Sequence, residues 1–163
     1  MVDNPIPGVQ RPLRIRAESK RDPRTQFGGL PFRVVKTKKR ERVEVLLVTS
    51  RDSRRWIIPK GWPVDGLTPA EAAVEEVWEE AGARGQGYDI CIGLYSYRKW
   101  LGEDLSLPVI VAVFPVKVEE LLDDYPEAAE RKRKWMSLKK AASKVEEHDL
   151  RQLIETFSLD RLR

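Results

Sequence analysis

Four glutamates, Glu75, Glu76, Glu79 and Glu80, stand close together near the middle of this 163-residue chain. On a helix, Glu76, Glu79 and Glu80 fall at i, i+3 and i+4, so their carboxylates leave from one side. Like charges one turn apart, Glu75 with Glu79 and Glu76 with Glu80, destabilise an isolated helix by roughly 0.2–0.5 kcal/mol per pair. Such crowding asks for a cation. Magnesium suits, because it favours carboxylate oxygens and water and commonly bridges to phosphate groups. In that role it polarises a phosphoryl oxygen, lowers the pKa of an attacking water and neutralises charge on a leaving phosphate. A solvated helix face gives the same spacing, since glutamates are good helix formers, and spacing alone leaves both readings open.

The segment around these residues carries strong helix punctuation. Thr68 can cap, Pro69 takes the first helical position, and Glu71 completes a capping box. Ala70, Ala73, Val74, Val77 and Ala81 make an apolar stripe opposite the glutamates, and Gly82 supplies a left-handed stop. A helix over residues 69–81 is predicted. Strands are read at 28–36, 43–49 and 56–58, the last followed by a loop at 59–63. Longer strands are read at 89–100 and 107–118 around a turn at Gly102, with a short one at 134–136. Leu150, Leu153, Ile154 and Phe157 form a helical stripe for docking on a sheet. Strands interspersed with a central and a terminal helix predict an α/β sandwich with a mixed sheet.

Residues 1–26 are rich in Pro, Arg and polar groups without a sustained period, and read as a basic tail, disordered or draped on a single domain at 27–163. The composition, 41% hydrophobic and 34% charged, excludes a disordered protein. The longest apolar runs are too short to span a membrane, and no secretory leader is read, so a soluble, cytoplasmic protein is expected. Cys91 is the single cysteine and His148 the single histidine, so no Cys/His zinc set can assemble and any metal must be held by oxygen. His148 is read as a surface residue and Cys91 as a buried strand residue. Basic runs at 11–24, 36–40, 51–55 and 131–134 alternate with acidic runs at 71–80 and 119–130. Separate patches of both signs suit an anionic small-molecule partner bridged to carboxylates by cations, although any one run reads equally well as a solvated face.

Residues 61–83 resemble the Nudix box. That box runs glycine, five spacers, glutamate, seven spacers, arginine-glutamate, an aliphatic residue, one spacer, two glutamates, one spacer, glycine, and an aliphatic or small residue. Gly61, Glu76, Val77, Glu79, Glu80, Gly82 and Ala83 fall in register. The resemblance implies a Nudix-like α/β/α sandwich. It also implies magnesium, with manganese as a substitute, held by Glu76, Glu79, Glu80 and the backbone carbonyl of Gly61, with one carboxylate helping to deprotonate water. Two positions depart from the box. Leu67 replaces its first glutamate, a loop and helix stabiliser whose work Thr68 and Glu71 can do. Glu75 replaces the arginine that steadies the catalytic glutamates, which predicts either weakened activity or a basic residue supplied from elsewhere.

Residues 43–51, 55–59 and 131–135 resemble the diphosphoinositol polyphosphate phosphohydrolase branch, where basic residues receive a densely phosphorylated substrate. Arg51, Arg55, Arg131 and Arg133 are the phosphate clamps this implies, and a guanidinium fork matches phosphate oxygens. Glu127 and Glu130 are candidates for an additional carboxylate, with Glu103 and Asp104 weaker ones. Trp62 either walls the cleft or covers a core edge. The expected activity is magnesium-dependent hydrolysis of a phosphoanhydride bond in a diphosphoinositol or dinucleoside polyphosphate. A ligand-binding module with weakened chemistry is the alternative. An RNA-binding or RNA-processing protein ranks lower, because the tail also carries Asp3, Glu18 and Asp22 and the tryptophans are not clustered. Oligomeric state stays open.

Overall fold

The computed structural model describes residues 24–163. The first strand, β1 (Arg24–Lys36), takes in the last three residues assigned to the tail, and Gln26 is buried in it. The domain therefore begins slightly earlier than composition suggests; residues 1–23 of that tail lie outside the described residues.

Strand β1 is the hub. Its first part runs parallel to β7 (Ser106–Leu121), with Arg24 opposite Val109 and Phe32 opposite Lys117, and its last part pairs antiparallel with β2 (Glu41–Thr49). The other strands attach antiparallel: β3 (Trp56–Ile57) and β8 (Arg133–Ser137) on β2, β4 (Lys60–Gly61) on β1, and β5 (Ala83–Gly87) and β6 (Gly93–Trp100) on β7. The sheet is mixed, as expected. Both faces are covered, and the strands alternate accordingly. Val45 and Leu47 of β2 pack into the cluster that includes Leu150, Ile154 and Phe157, whereas Leu46 and Val48 pack with Val77 and Ala81. One face thus carries α1 (Pro69–Ala81), and the other carries α2 (Leu138–Lys144) and α3 (His148–Glu155). This is an α/β/α sandwich.

Several sequence readings need correction. Residues 60–61 form a short ladder with β1 instead of lying wholly in a loop. The strand read from residue 89 begins at Gly93, which leaves Cys91 exposed in the segment before it and not buried. Strand β5, with the sequence ARGQG, has no β-branched residue to announce it. It is fixed by tertiary contact: a Cβ on Gly85 would stand 1.8 Å from the Lys117 carbonyl oxygen. His148 is exposed at the start of α3, as expected. No helix among the described residues is long and apolar enough to cross a membrane.

Helix α1 is fixed at both ends and along its buried stripe. Thr68 and Glu71 form the reciprocal capping box, and Gly82 ends the helix at φ 62°. The ring of Tyr125 covers Gly82 so closely that a Cβ there would come within 2.3 Å of Cδ1. Beneath the helix, a Cβ on Gly29 would lie 2.4 Å from Val77 Cγ2. Gly29→Ala should therefore lift the helix from β1 and cost about 1–3 kcal/mol by overpacking. The expected readout is a lower urea midpoint at unchanged slope, and an unchanged midpoint would contradict this packing.

Candidate active site

The exposed side of α1 forms one wall of an open cavity of about 570 Å³, onto which Glu76, Glu79, Glu80, Gly61 and Glu127 all face. Glu76 lies directly against β4. A Cβ on Gly61 would come within 2.0 Å of Glu76 Oε1, so the carboxylate fills the space that any larger residue at 61 would need. Glu80 is buried, with 6% of its surface exposed. Its Oε2 accepts the Lys60 backbone N–H at 3.2 Å and its Oε1 accepts Arg131 Nη2 at 3.2 Å. Glu127 arrives from the loop before β8. Its N–H donates to the Glu79 carbonyl at 3.0 Å, and its carboxylate shares the same Arg131 nitrogen at 3.2 Å.

Arg131 is thus a brace between two acidic groups, not a free clamp. Its other terminal nitrogen donates to the Thr49 carbonyl at 3.1 Å, and Thr49 Oγ1 accepts the Lys132 N–H at 2.9 Å, which fixes the segment to β2. Glu75, in the position of the box arginine, is exposed and not part of the cavity wall. The cation beside the glutamates is instead Arg131, which comes from the segment before β8. Leu67, the other departure from the box, packs with Phe27, Ala70 and Phe114, an environment that would penalise a glutamate.

The remaining predicted residues separate. Arg55 lines the cavity but is bonded to Glu147, with Glu146 at 3.7 Å. Arg51 stands at the rim, 58% exposed, 3.5 Å from Glu127 and 3.8 Å from Glu130. Glu130 is itself half exposed and off the cavity wall. Arg133, read as a phosphate clamp, lies off this cavity wall. Its Nη1 donates to the carbonyls of Ala81 at 2.8 Å and Leu122 at 2.7 Å, and its Nη2 pairs with Asp123. There it opposes the negative end of the α1 dipole, which has no basic residue in its own last turn. Trp62 does line the cavity, while Glu103 and Asp104 are exposed in the β6–β7 turn and lie outside it.

Three groups on or behind the cavity wall carry no signal that singles them out in the sequence. Lys60 sits with its ammonium 4.7 Å from the centroid of the Tyr97 ring, and burial pulls it down to about 8, so it stays mainly charged at neutral pH. Tyr97 donates to Gln26 at 2.6 Å, and both line the cavity. Glu147 anchors Arg55 from 92 residues away, a pairing without any local cue, whereas adjacency to Gly61 is the one hint that could draw attention to Lys60.

The electrostatics fit a divalent cation. Burial, then repulsion from Glu80, Glu79 and Glu127, pushes Glu76 up to about 8. Burial pushes Glu80 up to about 7 against the pull of Arg131 and Lys60. Burial with repulsion from Glu75 and Glu127 also raises Glu79. These acceptor oxygens are crowded beyond what the nearby cations neutralise, and a bound metal favours the ionised forms. No closed cage of three such groups is drawn together among the described residues. Magnesium commonly keeps several waters and uses one or two carboxylates together with substrate phosphates.

Comparison with known proteins agrees with this geometry. The NUDIX domain matches residues 30–157. Nudix hydrolase 12, mitochondrial, of Arabidopsis thaliana is 31% identical over 142 residues, covering 80% of this chain and 70% of that protein. Diphosphoinositol polyphosphate phosphohydrolase 3-alpha of Mus musculus is 34% identical over 108 residues, covering 64% of this chain and 62% of that protein. Among solved structures, the E. coli dihydroneopterin triphosphate pyrophosphohydrolase superposes with a TM-score of 0.58 at 19% identity, covering 83% of this chain and 95% of that one. With its box glutamates gathered on one helix above one cavity, the chain belongs to the Nudix hydrolase family.

Proposed function

We propose that the chain hydrolyses a phosphoanhydride bond in a polyphosphorylated small molecule, with magnesium, or manganese in its place, at the glutamate wall. Nudix hydrolases generally use a divalent metal. The observation that carries this reading is the convergence of Glu76, Glu79, Glu80 and Glu127 on a cavity that also holds Lys60 and Arg51. Glu76, Glu79 and Glu80, with the Gly61 carbonyl, would hold the metal, consistent with the raised carboxylate pKa values. When bound, magnesium supplies a Lewis acid for the phosphoryl group and a lowered pKa for the attacking water.

The protein's own residues do the rest. Arg131 keeps Glu80 and Glu127 in fixed positions, so neither carboxylate must be reoriented during reaction. Arg51 adds positive charge at the mouth, where it attracts an anionic substrate. Diphosphoinositol polyphosphates and dinucleoside polyphosphates are the substrate classes we favour, the first supported by the likeness to the mouse phosphohydrolase. Arg131 also bears on the alternative of decayed chemistry, since it supplies from the segment before β8 the positive charge that Glu75 does not.

In a magnesium-containing screen of phosphoanhydride substrates read by product mass, hydrolysis should appear, vanish on chelation and return with manganese. Glu80→Gln should lower turnover by at least about a hundredfold, the scale of losing a positioned acid–base group. Retained activity in that variant would remove the site assignment. Arg131→Gln should lower kcat by roughly 10- to 100-fold, as for groups that orient metal ligands, with a smaller change in KM. Glu75→Arg should leave turnover nearly unchanged, and a large gain would mean that Arg131 does not compensate.

Stability of the metal-free protein should depend on Glu76. Its folded-state pKa of about 8 exceeds the ordinary value of 4.5, so the folded chain keeps a proton that the unfolded chain has released. Unfolding then releases protons, and stability falls as pH rises from about 4.5 through about 8. Glu76→Gln should flatten this fall and raise the melting temperature by about 3 °C or more near the alkaline end, the shift expected from roughly 1 kcal/mol. Parallel melting curves for the two proteins across this range would refute the assignment.

A further inference from the structure

Most cations around the cavity are already committed. Arg131 is bonded to Glu80 and Glu127, Arg55 to Glu147, and Arg51 stands mostly in solvent beside Glu127 and Glu130. Lys60 is different. Its backbone N–H serves Glu80, but among the described residues its ammonium makes no hydrogen bond or close ion pair and rests only over the Tyr97 ring. The backbone on which it sits is fixed, because Lys60 pairs with Gly28 of β1. The ring beneath it is fixed as well, through the hydrogen bond from Tyr97 to the buried Gln26.

An ammonium carries three donors, and burying one without acceptors is costly. The Tyr97 ring and the charges of Glu80 and Glu147 offset only part of that cost. The nearest anionic influence, Glu80, already has two donors of its own. A long, flexible side chain instead lines the same cavity onto which Glu76, Glu79, Glu80 and Glu127 face. Such a position is what a phosphate requires, with one oxygen on the ammonium and others toward a cation held by the glutamates.

We propose that Lys60 is the cation that contacts the substrate in this cavity, its ammonium donating directly to a phosphate oxygen of the bound pyrophosphate group. This rests on the phosphoanhydride reading above. The basic residues then divide their roles: Arg131 and Arg55 hold protein carboxylates in place, and Lys60 holds the ligand.

Affinity for methylenediphosphonate, a pyrophosphate analogue that cannot be hydrolysed at its bridge, provides the test. It is measured by calorimetry with magnesium present for the full chain, Lys60→Met and Lys60→Gln, together with melting temperatures. Both variants should bind roughly 10- to 100-fold more weakly, the range for one charge-assisted hydrogen bond. Their melting temperatures should equal or exceed that of the parent, because a half-buried charge with no hydrogen-bond acceptor has been removed.

Affinity within about twofold of the parent, or a parent that does not bind, overturns the proposal. So does weakened binding accompanied by a lowered melting temperature in both variants, which marks a structural lysine. Should only Lys60→Met melt low, Lys60→Gln decides by the same affinity comparison. If the parent hydrolyses phosphoanhydrides while the variants bind like it, this inference fails and the proposed function stands. If binding depends on Lys60 but no phosphoanhydride is cleaved, the proposed function fails instead.

Discussion

The ion pairs from Arg131 to Glu80 and Glu127 decide how four carboxylates can share one cavity wall. At about 4 Å and an effective dielectric of about 20, one pair of like charges repels by roughly 4 kcal/mol, far more than helix propensity can offset. The chain meets this repulsion in three ways at once. It leaves Glu76 and Glu80 reluctant to ionise, it gives Glu80 a backbone donor from Lys60, and it drives one guanidinium between Glu80 and Glu127. Each is partial. A partial solution suits the cation-binding role proposed for this site, because full neutralisation by protein groups would leave no driving force to bind one.

The scaffold turns that balance into fixed geometry. Helix α1 is capped by Thr68 and Glu71, stopped at Gly82 and seated on Gly29, so the glutamates inherit the rigidity of a packed helix. Strand β4 is only two residues long, yet it presents both Gly61 to Glu76 and the Lys60 amide to Glu80. The sheet's opposite face is sealed by α2 and α3, and from the start of α3 Glu147 reaches Arg55 at the cavity. Both outer layers of the sandwich therefore contribute to one site.

Sequence reading succeeds where local chemistry carries the information. The caps, the stripe and the stop of α1 lie within a few residues of one another, and all take the roles assigned to them. The three glutamates follow from helical spacing. What escapes is decided by distant partners. Strand β5 forms because Gly85 tolerates the close backbone of β7, not because its residues prefer extended structure. Arg131 and Arg133 look alike in a basic run, yet their side chains leave on different sides, one to the glutamates and the other to the carbonyls ending α1. Cys91 precedes a strand that starts two residues later, and its exposure follows from that offset.

Arg131 and Arg133 both reach back across more than fifty residues to the end of α1. The residues from 61 to 83 can be made, and can coil, well before either arginine is in place, but as a bare acidic helix with an uncompensated terminus. Closing so long a loop is entropically demanding, and contacts of this kind form late. Completion of this site is accordingly a property of the finished domain: the helix that carries the family's glutamates is braced by two arginines in and just before the final strand of the sheet.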